Sequence, residues 1–136
     1  MNKYYLISLF FLLILQTSCS NKEEKITMNV TSTAYNSLPE QTRAGTGDIT
    51  AWGDTLRLGM KTIAVSRDLI KAGLTHNTEV KIEGLEGTYL VNDKMNKRWE
   101  KKIDIYMGKN VEKAREWGKQ EVTISWVAPV SEEENM

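Results

Sequence analysis

The sequence predicts a small all-β domain, a closed barrel of short strands with one or two short helices. Three observations support this prediction. Most segments after residue 26 alternate apolar and polar residues with the period of two that is typical of half-buried strands. Glycines separate these segments at short, near-regular intervals. The predicted domain, residues 27–129, is small, and closing its sheet into a barrel removes exposed strand edges.

Five segments show the alternation of strands, and a sixth adds one or two more. The clearest is the last, in which Val122, Ile124 and Trp126 face one way and polar residues the other. In the sixth segment, residues 56–65, Gly59 is expected to break the strand. The five predicted strands are residues 27–35, 78–82, 88–92, 102–107 and 120–127.

Two short helices are predicted between the strands. Residues 111–117 are expected to be helical because Asn110 is a favourable N-cap and Gly118 a favourable stop. The same arrangement occurs in a shorter segment, where Ser66 is the expected N-cap and Gly73 ends the helix.

The first eighteen residues are predicted to be an export signal. Lys3 provides the positive charge, and residues 4–15 are twelve uncharged, mostly apolar residues. Twelve residues match the apolar region of a signal peptide and are too few to span a bilayer. Small residues then precede Cys19, a pattern that resembles a bacterial lipobox. We therefore expect a lipoprotein signal at 1–18 and lipidation of Cys19; an ordinary signal peptide is the alternative.

Polar segments flank the predicted domain. Residues 19–26 are interpreted as the lipidated cysteine and a flexible tether, and residues 130–136 as a disordered acidic tail. The charged run after Cys19 resembles the export tag of surface lipoproteins, although a charged spacer explains it equally well. The expected location is the cell envelope, lipid-anchored at the outer membrane and either periplasmic or surface-exposed.

Composition excludes several classes of site. A single cysteine excludes an internal disulfide framework and a multi-cysteine zinc site. The one histidine, His76, lies in a polar turn, is expected to be exposed, and cannot form a two-histidine metal site. With 18 basic and 18 acidic residues, no overall field favours nucleic acid. We expect no metal and no cofactor, and we expect carboxylates to carry any chemistry.

Seven short segments occur in the order found in the three-aspartate domain family. They include Asp93 and Asp104, which are eleven residues apart, as in that family. The segments are 33–35 (Thr-Ala-Tyr), 50–53 (Thr-Ala-Trp-Gly), 63–65 (Ile-Ala-Val), 84–93, 102–108, 114–119 and 122–126. The chain thus resembles this family, which is related to the C-terminal domain of membrane-bound lytic transglycosylase A and more distantly to rare lipoprotein A. The resemblance implies a six-stranded double-psi β-barrel.

The chain departs from the family pattern at two places. The position of the first family aspartate is Ser66, which can cap a helix but cannot act as a carboxylate. Asp68 lies two residues further on, where a helix would give it a different geometry. The glycine-rich run that follows the second aspartate in the family is replaced by residues 94–99.

The resemblance implies that Asp104 is catalytic and that Asp93 assists it. A lytic transglycosylase needs only one acid–base group, because the C6 hydroxyl of N-acetylmuramic acid attacks C1 of its own ring and gives a 1,6-anhydro product. The pKa of such a group must be raised by apolar surroundings or a like charge, and Asp104 lies between two isoleucines. The alternative is a structural carboxylate that caps a turn or pairs with Lys101 or Lys102.

The predicted substrate-binding residues are aromatic and basic. Trp99 is expected to stack on a sugar, and nearby cations such as Lys97 and Arg98 to attract peptide carboxylates; a solvated hairpin is the alternative. Trp52 and Tyr35 lie within matched segments and are further candidates, with a core position as the alternative for Trp52.

Two functions remain open from the sequence. The retained aspartate pair favours a peptidoglycan lytic transglycosylase that cleaves MurNAc–GlcNAc bonds. The loss of the first aspartate favours a non-catalytic peptidoglycan-binding module on the same barrel. The expected partners are glycan strands of peptidoglycan and, through the lipid anchor, the membrane, but not nucleic acid. A homodimer is also considered, since one small barrel provides only half a groove.

Overall fold

A computed structural model of the protein describes residues 23–38 and 48–128. The predicted signal peptide, Cys19 and the acidic tail 130–136 lie outside these ranges. Within them, no helix is both long enough and apolar enough to cross a membrane.

The described residues form six strands and two short helices. In chain order, these elements are β1 (Lys25–Tyr35), β2 (Thr62–Val65), α1 (Arg67–Lys71), β3 (Glu79–Ile82), β4 (Tyr89–Lys94), β5 (Lys102–Tyr106), α2 (Val111–Trp117) and β6 (Gln120–Val127).

The six strands close into one barrel. Their order around it is β1-β5-β2-β4-β3-β6, and β6 pairs with β1 to complete the circle. The pairs β1–β5 and β2–β4 are parallel, and the other four are antiparallel. The predicted fold class, a small six-stranded β-barrel with one or two short helices, is confirmed.

The core lies inside the barrel and follows the predicted alternation. In β6, Val122, Ile124 and Trp126 are buried while their neighbours face outward. Strand β2 differs because all four of its residues are buried. It lies between β4 and β5 in the barrel. This explains why Thr62–Val65 shows no polar alternation in the sequence.

Two predicted element boundaries change in the structure. Of residues 56–65, only Thr62–Val65 forms a strand; the part before it is a loop in which Gly59 has a positive φ of 85° and Leu58 is 64% exposed. Strand β1 begins at Lys25, within the segment interpreted as tether. It begins there because Lys25 and the next residue pair with the last two residues of β6.

The helices occur where they are predicted, but one cap differs. The Asn110 side chain accepts a hydrogen bond from the Lys113 N–H at 2.9 Å and thus caps α2, and Gly118 ends it with a φ of +61°. Ser66 occupies the N-cap position of α1 without a capping bond from its side chain. Its hydroxyl oxygen accepts the backbone N–H of Lys102 at 3.0 Å instead. The predicted role of Ser66 as a side-chain cap is therefore wrong, because the start of β5 provides a competing donor.

Two tryptophans, Trp126 and Trp117, contribute to the core in different ways. Trp126 is buried inside the barrel. Trp117, at the end of α2, is partly buried against the core, and its indole N–H donates to the Ser32 hydroxyl at 2.9 Å. This hydrogen bond holds α2 against β1.

We expect Asn110→Ala to lower the free energy of unfolding by about 1 kcal/mol, because it leaves N–H groups in the first turn of α2 without a cap. Urea denaturation followed by circular dichroism measures this loss. The control is Asn110→Ser, which keeps a capping oxygen and should be close to wild type. Equal losses in the two variants would contradict this explanation.

Candidate functional site

A row of four side chains crosses the outside of the barrel. Ala64 in β2 is the register partner of Asp104 in β5 on one side and of Asp93 in β4 on the other. Thr33 in β1 is in turn the partner of Asp104. Residues that pair directly share one face of a sheet. We call this row, formed by Thr33, Asp104, Ala64 and Asp93, the aspartate face.

A register shift brings Asp93 into this row. Ile63 pairs with Val91, whereas Ala64 pairs with Asp93 rather than Asn92, because the pairing shifts by one residue between Ile63 and Ala64. A one-residue shift exchanges the two faces of a strand. Without it, Asn92 would be the partner of Ala64 and would take the place of Asp93.

Asp104 is a partly buried carboxyl group. Its neighbours Ile103 and Ile105 point into the core, so its own side chain points outward onto the aspartate face. The Thr33 hydroxyl donates a hydrogen bond to Oδ1 of Asp104 at 2.9 Å. Burial raises the pKa of Asp104; the Thr33 hydrogen bond and the positive charge of Lys102 offset part of this rise, and the charge of Asp93 adds to it.

Asp93 is held by backbone donors. Its Oδ1 atom accepts the N–H of Ala51 and the N–H of Lys94, each at 2.8 Å. The first of these bonds fastens the predicted turn 50–53 to β4. Within the residues that the structure describes, Oδ2 of Asp93 has no hydrogen-bond partner. This oxygen is therefore available to accept a hydrogen bond from a ligand.

Tyr35 lies at one end of the aspartate face. It is the register partner of Tyr106, and the two ring centroids are 5.5 Å apart. Burial raises the pKa of Tyr35 far above its usual range, and the charges of Asp93 and Asp104 raise it further. Its buried hydroxyl has no hydrogen-bond partner among the described residues. Tyr35 is thus a phenol close to both carboxyl groups.

Trp99 lies at the other end, beyond the start of β5. The Lys102 ammonium is 3.6 Å from its ring centroid, and the Arg98 guanidinium is 4.9 Å from it. Lys102 is two residues before Asp104 on the same face of β5, so it links Trp99 to the aspartate face. Trp99 remains 36% exposed. Lys97 is exposed in the same loop and makes no polar contact within the described ranges.

Trp52 occupies the turn beside Asp93 but has other neighbours. It is partly buried against the core, and His76 stacks on it with a centroid distance of 5.1 Å. The Lys94 ammonium is 5.2 Å from the same ring. His76 in turn lies 2.5 Å from the Asp54 carboxylate through Nε2. A sugar could stack on Trp52 only after one of these neighbours moved.

The position that corresponds to the first family aspartate lies beside the aspartate face. Ser66 lies two residues beyond Ala64 and is fully buried. Asp68 lies on α1, not on the aspartate face, and accepts the N–H of Lys101 at 2.9 Å. Burial alone would raise its pKa, but hydrogen bonds from the Ser66 hydroxyl and from backbone N–H groups outweigh this and lower it. Asp68 therefore does not replace the family carboxylate.

Of the predicted site residues, the structure brings together Asp104, Asp93 and Tyr35. Trp99 and Arg98 lie at the edge of the same face, and Lys97 lies apart from it. Sequence reasoning missed Thr33 as a partner of Asp104 and the contact of His76 with Trp52 and Asp54. No local sequence pattern predicts either contact; Thr33 and Asp104, for example, are 71 residues apart. Among the described residues, no group of three or more metal-ligating side chains is close enough to hold an ion.

Comparison with known proteins finds similarity in structure only. No protein-family model matches the chain, and no curated protein matches it. Two similar solved structures are those of the Clavibacter michiganensis expansin, one without ligand and one of a mutant in complex with cellohexaose. Their sequence identities are 16% and 14%, and both have a TM-score of 0.46. Each match covers 78% of this chain and 52% of the expansin, so the chain spans about half the length of these neighbours. This likeness concerns the fold alone.

We expect Asp104→Asn to stabilise the protein at pH 7. The pKa of Asp104 in the folded state lies above its ordinary value of 3.8. At pH values between 3.8 and the folded-state pKa, the folded state therefore binds more protons than the unfolded state. The stability of the wild-type protein therefore falls as the pH rises through this window. The Asp104→Asn variant does not lose this stability, because asparagine does not ionise. Urea denaturation at pH 7 and at low pH measures the difference, which should disappear below the unfolded pKa.

The control for this prediction is Asp68→Asn. Its folded pKa lies below the ordinary value of 3.8, so the ionised group stabilises the fold at neutral pH and this stability is lost as the pH falls through the folded pKa. The variant should be less stable than wild type at pH 7. An Asp104→Asn protein that is also less stable at pH 7 would contradict the assignment of Asp104 as a destabilising buried acid.

Proposed function

We propose that the protein binds glycan strands of peptidoglycan across the aspartate face. The observation that carries this proposal is the arrangement on one outer surface of two carboxyl groups, a buried phenol and an exposed indole. Sugar hydroxyls are both donors and acceptors, and a sugar ring also has apolar C–H faces. A ligand with both properties matches a surface that offers carboxyl oxygens beside an aromatic ring.

Each group has a distinct part in this binding. The unpaired Oδ2 of Asp93 accepts a hydrogen bond from a sugar hydroxyl. The hydroxyl of Tyr35 is buried and has no partner among the described residues, so it donates to a ligand only if the groups that cover it move. Trp99, 36% exposed at the end of the face, packs against a sugar ring once Lys102 or Arg98, which lie over the indole, moves aside. Thr33 orients the carboxyl group of Asp104.

A second candidate function, lytic transglycosylase activity, is favoured by the raised pKa of Asp104. A surface that only binds sugar has no need of a carboxyl group with a raised pKa, whereas a general acid requires one. The Thr33 hydroxyl donates to Oδ1, so the proton of the neutral acid resides on Oδ2.

In this reaction, Asp104 donates its proton to the oxygen of the MurNAc–GlcNAc bond as the bond from C1 to that oxygen breaks. The C6 hydroxyl of the same N-acetylmuramic acid attacks C1, and the Asp104 carboxylate accepts the hydroxyl proton. The 1,6-anhydro ring closes, and Asp104 is again protonated. Asp93, two strands away across β2, raises the pKa of Asp104 through its charge and binds the sugar.

The proposal includes the location predicted from residues 1–19. A lipid on Cys19 would hold the barrel at the outer membrane, close to peptidoglycan. This part rests on the sequence pattern alone.

Incubation with purified sacculi tests both functions. We expect the wild-type protein to pellet with sacculi, and Trp99→Ala to pellet several-fold less because it removes the exposed aromatic contact. If the enzyme proposal holds, mass spectrometry detects anhydro-muropeptides with wild type. Asp104→Asn should then pellet normally and yield none.

The outcomes separate the two functions. Pelleting without new products in any variant supports the binding module and rejects the transglycosylase. A wild-type protein that neither pellets nor yields products rejects both.

We expect Thr33→Val to raise the pKa of Asp104 further, because it removes a hydrogen bond that lowers it. Carbon-13 NMR titration of the aspartate carboxyl groups measures this change without requiring activity. If the protein cleaves glycan, the alkaline limb of its pH–rate profile moves in the same direction. Thr33→Ser keeps the hydroxyl and should titrate like wild type. An unchanged titration in the valine variant would refute the positioning role of Thr33.

A further inference from the structure

A small cationic pocket adjoins the aspartate face. It has a volume of about 270 Å³ and lies between the loop before β2 and the turn that follows β5. Three lysines line it, Lys61, Lys109 and Lys113, and no carboxylate from the described part of the chain does. We call it the lysine pocket. Its lining also includes Tyr106, whose side chain lies on the same face of β5 as Asp104.

The charge in this pocket is uncompensated. The Lys61 ammonium donates to the carbonyl oxygen of Glu86 at 2.8 Å, which fixes its position but leaves its charge. Lys109 and Lys113 form no ion pair with the residues that the structure describes. Two free ammonium groups and one fixed group around a small cavity favour an anionic ligand.

The walls of the pocket are held in place before any ligand binds. The Asn36 amide donates to the carbonyl oxygens of Gly108 and Asn110, at 3.2 and 3.1 Å. Gly108 has a φ of +59°, and a Cβ there would lie only 3.3 Å from Leu58 Cδ2, so glycine allows Leu58 to approach the turn. Leu58, otherwise 64% exposed, forms an apolar edge of the pocket.

We propose that the lysine pocket binds a carboxylate of the peptide stem carried by the glycan strand. This inference rests on the proposed function, because it takes the glycan to lie on the aspartate face. The stem is attached to N-acetylmuramic acid, and Tyr106 places the pocket two residues along β5 from Asp104, about 7 Å. A stem on a sugar bound at Asp104 therefore reaches the pocket.

The lining also distinguishes a peptide carboxylate from other anions. Leu58, Met60 and Met107 provide apolar surface beside the lysines. An amino acid has an alkyl part that packs on such surface, whereas a phosphate group has none. The preferred substrate is accordingly glycan that retains its peptide stems, not denuded glycan.

The first experiment uses the soluble stem peptide released from sacculi by an amidase. We expect NMR titration of the wild-type protein to shift the backbone amides of residues 108–113. The double variant Lys109→Gln, Lys113→Gln should bind about five- to tenfold more weakly, since it removes two exposed charge contacts. The matched control Lys71→Gln, Lys81→Gln removes the same charge away from the pocket and should bind like wild type.

Three results would overturn the inference. The first is that the backbone amide signals of residues 108–113 do not shift. The second is that the Lys109/Lys113 variant binds the peptide with the same affinity as the wild-type protein. The third is that the control variant loses as much affinity as the Lys109/Lys113 variant. Inorganic phosphate at the same ionic strength provides a further test. If phosphate shifts the same amides with equal affinity, the pocket does not select a carboxylate.

The second experiment separates this inference from the proposed function. Wild-type protein is pelleted with intact sacculi and with sacculi stripped of their stems. Several-fold better pelleting with intact sacculi, lost in the Lys109/Lys113 variant, supports the pocket. If the protein pellets equally with intact and stripped sacculi, and the Lys109/Lys113 variant does the same, the proposed role of the pocket is rejected and glycan binding is not. No pelleting with either rejects the proposed function, and the peptide titration then decides on the pocket alone.

Discussion

The candidate site depends on a one-residue register shift between β2 and β4. The shift makes Asp93, rather than Asn92, the neighbour of Ala64, and Asp104 is the neighbour of Ala64 on the opposite side. Side chains alternate between the faces of a strand, so the shift decides which of two adjacent residues reaches the outer surface. Thr33 then donates to Asp104 and the turn at residue 51 donates to Asp93, while the charges of both carboxyl groups raise the pKa of Tyr35.

The two carboxyl groups differ because their donors differ. Asp93 accepts two backbone N–H groups, whereas Asp104 accepts one hydroxyl and lies between two buried isoleucines. Burial therefore dominates at Asp104 and raises its pKa. Retaining such a group costs stability at neutral pH, and a fold accepts this cost where the group has a function. The two proposed functions, glycan binding and glycan cleavage, would use the same surface and would differ in whether Asp104 transfers its proton.

The lysine pocket extends this surface along β5. Tyr106 belongs to both, because its ring lies on the outer side of β5 and also lines the pocket. A polymer that carries a sugar chain and an acidic side branch would match the two parts together. The opposite end of β5 carries Lys102 and Trp99, so the surface offers different chemistry at its two ends.

The sequence by itself determined the strands, the caps of α2 and the apolar surroundings of Asp104, because each follows from neighbours a few residues away. Only the tertiary structure decided three other features. They are the four-residue length of β2, the hydrogen bond that joins Ser66 to the start of β5, and the hydrogen bond between Thr33 and Asp104. These features join residues that are far apart in the chain. Local patterns carry no information on the register between such residues, which the closure of the barrel sets.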